Sequence, residues 1–110
     1  MANKSRNKGK TGEREFINLL SSRLPGCTLA RNLMQTREGG HDVDGLDDWA
    51  IEIKRQETLS IGTWWRQATK QAQEASKRPA LAYRQSREPW RILVEMSLDE
   101  FADYIGREYE

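Results

Sequence analysis

The segment Trp49-Ala-Ile-Glu-Ile-Lys-Arg55 constrains this chain more than any other. Strand side chains repeat every two residues, so Trp49, Ile51, Ile53 and Arg55 share one face. Ala50, Glu52, Lys54 and Gln56 share the other. A sheet is therefore required, and the neighbouring segments decide what kind.

Upstream, Thr11 is a plausible N-cap for a helix running to about Leu24, where Pro25-Gly26 stops it. At about 100° per residue, Phe16, Ile17, Leu20 and Leu24 cluster on one face, with Leu19 at its edge. Cys27 to Met34 alternates loosely as a strand, and a loop follows through Glu38-Gly39-Gly40. His41 to Leu46 reads as a short strand turned by Gly45 and Asp47-Asp48. A second helix is expected over Thr63 to Ser76, with Trp64 (or Trp65), Ala68, Ala72 and Ala75 as its small apolar stripe. Pro79 to Tyr83 and Trp90 to Met96 follow as two strands joined by a turn. Ser97 and Glu100 form a capping box for a last helix to about Ile105. The order predicts a mixed α/β sandwich without internal repeats.

Length and composition narrow the class. A chain of 110 residues has room for one small domain, expected over 11–110, preceded by a flexible basic arm over 1–10. No run approaches the roughly 18 apolar residues of a membrane span. The basic N-terminus is followed by no apolar stretch of a secretory signal. One cysteine, Cys27, precludes an internal disulfide, and no Cys/His cluster suits zinc. These features predict a soluble cytoplasmic domain that does not engage a membrane.

The net charge of +1 conceals segregation. Lys4, Arg6, Lys8 and Lys10 open the chain, and Lys77, Arg78, Arg84, Arg87 and Arg91 cluster late. Between them Glu38, Asp42, Asp44, Asp47, Asp48, Glu52 and Glu57 outnumber Lys54 and Arg55. Basic tracts flanking an acidic centre suit an enzyme whose cations neutralise phosphates while its carboxylates hold a divalent ion.

Three features converge on that centre. His41-Asp42-Val43-Asp44-Gly45 places two carboxylates on one side of an extended segment. If that segment pairs with the next strand, Asp42 (or Asp44), Glu52 and Lys54 meet on one sheet face. On the first helix Glu13 points with the apolar stripe, whereas Glu15 points towards solvent. Magnesium needs only one or two carboxylates plus water and phosphate oxygens. A lysine beside it orients or deprotonates water, or stabilises charge developing on the phosphate.

Asp42, nine residues, then Glu52-Ile53-Lys54 resembles the core motif of the PD-(D/E)XK nuclease superfamily. Lys8-Gly9-Lys10-Thr11-Gly12-Glu13-Arg14-Glu15-Phe16 resembles the opening of archaeal-type Holliday junction resolvases and small phage-encoded relatives. The resemblance runs from about Lys8 to Tyr83. It implies a restriction-endonuclease-like αβββαβ core, with a mixed central sheet flanked by helices. It further implies Mg2+ or Mn2+ on Asp42 and Glu52, Lys54 at the attacking water, and Glu13 as an outer or additional ligand. Asp42 is preferred to Asp44 because its gap to Glu52 matches the family pattern. His41 replaces the motif's proline and is a candidate general base. Gln67, one turn before Gln71, is a further candidate because related nucleases carry glutamine there.

Lys8, Lys10, Arg84, Arg87 and Arg91 are the candidate DNA contacts, on branched or duplex DNA. A junction-cutting version implies a homodimer, with Trp64 and Trp65 as candidate dimer surface or base-stacking platform, at least one of them being expected in the core instead. The rival from another class is a non-catalytic DNA-binding module on the same fold. An acidic DNA mimic is disfavoured by the basic arm and hairpin arginines.

Overall fold

The structure is a computed structural model that describes the backbone of residues 2–32 and 41–109, with side chains from residue 9. Helix α1 (Ala2–Ser21) leads into the two-residue strand β1 (Ala30–Arg31) and then β2 (Val43–Asp44). Strand β3 (Trp49–Arg55), helix α2 (Ile61–Ala75), strands β4 (Arg78–Arg84) and β5 (Arg91–Val94) and helix α3 (Leu98–Gly106) follow. A short 3-10 turn closes the chain at Arg107–Tyr109. Among the described residues no helix is long and apolar enough to cross a membrane.

The main sheet has the order β3-β4-β5, parallel between β3 and β4 and antiparallel between β4 and β5. The parallel step needs a crossover, which α2 supplies. β1 and β2 form a separate antiparallel ribbon, with Ala30 opposite Asp44 and Arg31 opposite Val43. A backbone bond from Asp42 N–H to the Ile51 carbonyl, 2.8 Å, ties the segment before β2 to β3. This is the mixed α/β core expected from the element order.

Helices cover both faces of β3, which explains why its central residues are buried on either side. Phe16 and Ile17 of α1 pack with Val43, Ile51, Ile53, Ala80 and Ala82. Trp64, Ala68 and Ala72 are the buried residues of α2, the element that lies against β3 and β4. Alanine at two of these positions lets the helix lie close to the strands. The capping box predicted at Ser97 is present: its hydroxyl accepts from Glu100 N–H, and Glu100 accepts from Ser97 N–H.

Two glycines permit close approaches near the future site. A Cβ on Gly12 would stand 2.5 Å from Arg55 Cβ, so glycine lets α1 lie directly on β3. Gly45 has φ +111 and faces the Thr28 carbonyl, which turns the chain out of β2.

Several expectations need correction. Helix α1 begins at Ala2, so Thr11 lies inside it and does not cap it. Lysine and arginine are good helix formers, and propagation from a docked turn needs no new nucleus. The helix stops at Ser21, before Leu24. The strand expected over Cys27 to Met34 shrinks to Ala30–Arg31; its end and the Glu38-Gly39-Gly40 loop lie outside the described residues. Glu15 does not point to free solvent. It accepts from Trp90 Nε1 at 2.8 Å and pairs with Arg84 at 3.2 Å, because the hairpin folds over that side of α1.

Candidate active site

The parallel pairing of β3 and β4 buries the middle of β3, and Glu52 with it. Only 4% of Glu52 is exposed, an unusual position for a carboxylate. Its Oε1 lies 3.4 Å from Lys54 Nζ, two residues along on the same strand face, and accepts from Gln67 Nε2 at 3.2 Å. Its Oε2 is buried without a hydrogen-bond partner among the described residues.

Asp42, 5% exposed, reaches the same place from the segment before β2. Its Oδ2 accepts the Ile53 N–H at 2.6 Å, fixing the carboxylate across β3. Glu13 comes from α1, brought in where Gly12 meets Arg55. Asp42, Glu52, Lys54 and Glu13 line one cleft of about 510 Å³.

The electrostatics of the cleft are unbalanced. Burial, then the nearby Glu52 charge, push Asp42 up to about 8, against the opposing pull of the Ile53 N–H and Lys54. Burial likewise raises Glu52, with Lys54 opposing and Glu13 adding to the rise. One lysine does not compensate this much buried carboxylate.

Arg31 Nε donates to Glu13 Oε2 at 2.8 Å. Arg31 escaped the sequence reading: it belongs to no motif, and only the β1–β2 ribbon brings it beside α1. Among the described residues no three His, Cys, Asp or Glu side chains are placed together to hold a metal ion. Asp42 and Glu52 remain as a two-carboxylate pair, with an orphaned buried oxygen on Glu52. A hard divalent ion fits that donor set, because magnesium typically takes one or two carboxylates and completes its shell with water and phosphate.

The other predicted residues separate by position. Asp44 is exposed and lies 3.6 Å from His41 Nε2, away from the cleft lining. Burial, then Lys77, lower the His41 pKa while Asp44 opposes. Gln67 reaches Glu52, whereas the Gln71 side-chain oxygen is buried without a partner among the described residues. Lys10 is exposed on α1, and the Lys8 side chain lies outside the described residues. Arg84 is engaged by Glu15 and by the Glu88 carbonyl, Arg91 lies 3.5 Å from Glu88, and Arg87 is exposed on the hairpin turn. Trp64 is 5% exposed and packs 6.4 Å from the Tyr83 ring. It is core, the place that the apolar stripe Trp64 (or Trp65) gives to one of the two tryptophans.

A buried Asp-Glu pair with a half-buried lysine beside it is the arrangement that the sequence motif calls for in three dimensions. A family model described as "Phage putative PDDEXK endonuclease" matches residues 4–108. The chain belongs to that family. As a PD-(D/E)XK endonuclease it also shares its fold with a Holliday junction resolvase from the archaeal hyperthermophile Archaeoglobus fulgidus. That likeness has a TM-score of 0.56 at 19% identity and covers 74% of this chain and 72% of the other. The comparison with curated proteins gave no match. The match to the family spans α1 through α3, so it includes every residue of the cleft.

Proposed function

We propose that this PD-(D/E)XK endonuclease hydrolyses DNA phosphodiester bonds in a Mg2+- or Mn2+-dependent reaction, with branched DNA as its preferred substrate. The observation that carries the reading is the under-compensated pair Asp42 and Glu52 beside Lys54 in one cleft. Structure selectivity rests on the fold shared with the Archaeoglobus resolvase and on the basic sequence around Gly9, the residue of α1 that lines the cleft with Glu13. Lys8 and Lys10 are the proposed phosphate contacts there, with Arg87 on the hairpin. Cutting two strands of a junction calls for two copies of the site, hence a homodimer acting in the cytoplasm.

Each residue has a role in this scheme. Asp42 and Glu52 would hold the divalent ion, which when bound supplies Lewis-acid polarisation of the scissile phosphate. The Ile53 N–H fixes Asp42, and Gln67 fixes Glu52, so neither carboxylate must reorganise as the substrate enters. Lys54, 3.4 Å from Glu52, orients the attacking water and offsets negative charge accumulating on the phosphate oxygens. Water adds to phosphorus and the bond to the leaving ester oxygen breaks; the leaving oxygen takes up one proton from solvent to become a hydroxyl, and the water's own protons are given up to solvent and to the new phosphomonoester. Glu13, paired with Arg31, stands at the edge of this set as an outer contributor.

The test is cleavage of labelled four-way junction, flap and linear duplex DNA with Mg2+ or Mn2+, comparing the natural chain with Glu52→Ala. Metal-dependent cutting that is lost in Glu52→Ala, and fastest on branched DNA, is the expected result. Binding of every substrate without cutting would make the chain a DNA-binding module on a nuclease fold. Equal cutting by both proteins would reject the assigned site.

A further inference from the structure

Strand β5 is the outer strand of the main sheet, paired with β4 on one side and with no described strand on the other. Every second N–H and C=O of such a strand faces outward, a template for another strand. Native edges are commonly blunted by a central charge, a proline or a bulge, yet the centre of this one is Ile92-Leu93-Val94. The face beside the edge is apolar as well. Ile92 is 55% exposed, and it borders a hollow of about 580 Å³ shared with Leu19, Leu20 and Pro89.

The residues of the edge identify its occupant. The four residues of β5, Arg91-Ile92-Leu93-Val94, with Glu95 directly after them, form a segment complementary to its own reverse. Centred on Leu93, an antiparallel copy sets Ile92 opposite Val94 and Arg91 opposite Glu95. Opposite charges directly across a strand pair stabilise it, and like charges destabilise it. Both charged residues are exposed. Among the described residues Arg91 lies 3.5 Å from Glu88, and Arg78 engages the Glu95 carbonyl and not its carboxylate.

We propose that a second copy of this chain docks on this edge, β5 against β5, antiparallel about Leu93. The two main sheets then join into one continuous sheet. The two-fold axis of an antiparallel pair is normal to the sheet, so Glu52 of both copies lies on the same face. This deepens the homodimer reading above by naming its surface, a role that the buried Trp64 cannot fill.

Sedimentation of the full chain, without DNA or added metal, tests the surface independently of cleavage. The natural chain is expected to dimerise. Arg91→Glu and Glu95→Arg each set like charges opposite one another twice per dimer and should weaken association about tenfold. Carrying both substitutions in one chain restores the opposite pairs and should restore association. Circular dichroism of each variant confirms that the monomer is folded. A natural chain that stays monomeric, single variants that dimerise as tightly as it does, or a double variant as weak as the singles would each overturn the proposal. A monomer that still cuts DNA would overturn this interface alone, whereas a dimer without cleavage would leave it standing and reject the nuclease reading.

Discussion

Glu13 and Glu15 stand two residues apart on α1 and enter opposite environments. Glu15 meets a region in which charge is matched: Trp90 and Arg84 both engage it, and Arg84 also binds the Glu88 carbonyl. Glu13 meets Arg31 and then a cleft in which Asp42 and Glu52 lack sufficient positive charge. Both regions are polar and partly enclosed, so polarity alone does not distinguish structure from chemistry. Unmatched buried charge does. A fold serving stability alone has no use for a carboxylate oxygen buried without a partner, because leaving it unsatisfied costs about 1–3 kcal/mol or more. A site that takes up a cation has that use.

The sharpest way to break this contrast is to exchange charge for shape at each region. Glu52→Gln and Asp42→Asn should each reduce cleavage at least about a hundredfold, in the range seen when a preorganised electrostatic contact is lost. Lys54→Met should fall in the same class, with DNA binding retained in a gel-shift measurement. Glu13→Gln should cost less, about tenfold, because Arg31 already neutralises the group in the structure. Glu15→Gln should leave cleavage near that of the natural chain. Turnover of one labelled substrate across these variants settles the order, and a Glu15 effect as large as that of Glu52 would end the distinction.

The same contrast predicts opposite signs in stability. Asp42 is raised in the folded protein from 3.8 to about 8, so the folded state binds the proton more tightly than the unfolded chain. Stability of the metal-free protein should therefore be greatest at low pH in this respect and fall as pH rises from about 4 to about 8. Asp42→Asn should flatten that slope and raise the melting temperature at pH 8. Adding Mg2+ should raise it for the natural chain and much less for the variant, because ligand that binds only the folded state stabilises it. At Glu15, in contrast, neutralisation should destabilise, by about 1 kcal/mol, since Glu15→Gln weakens two existing contacts. Thermal melts with and without Mg2+ distinguish the two carboxylates without any activity assay.

Much of the candidate site was legible because its signals are local. Glu52 and Lys54 share a strand face by period alone, and the observed β3 has the predicted limits, Trp49 to Arg55. Glu13 was separated from Glu15 by the helical wheel. Asp42 was preferred to Asp44 on its gap to Glu52 alone, but the bond that holds it, from Ile53 N–H, was not legible, because β2 is only two residues long. Arg31 was illegible for the same reason: its meeting with Glu13 spans elements and no periodicity encodes it. Helix α1 ran further than expected because a cap signal such as Thr11 is weak beside propagation from a docked turn. Trp64 was ambiguous because a wheel does not choose between adjacent tryptophans, whereas packing against Tyr83 does.

The smallest expected effect lies farthest from both carboxylates, in α3. That helix has no buried residue, and Leu98, Phe101 and Tyr104 are all exposed. Its stability in the monomer therefore comes chiefly from the capping box at Ser97, with one exposed ion pair, Arg78 to Glu100, tying it to β4. Ser97→Ala removes the hydroxyl that accepts the Glu100 N–H and should weaken the helix by about 1 kcal/mol. Because α3 contributes little to the core, this loss should appear as faster amide exchange within 98–106 and not as a large drop in the global melting temperature. Cleavage should be unchanged, since no residue of α3 lines the cleft. A cleavage loss in Ser97→Ala would mean that the last helix supports the site through the sheet, and that matched and unmatched charge are not separable regions of this molecule.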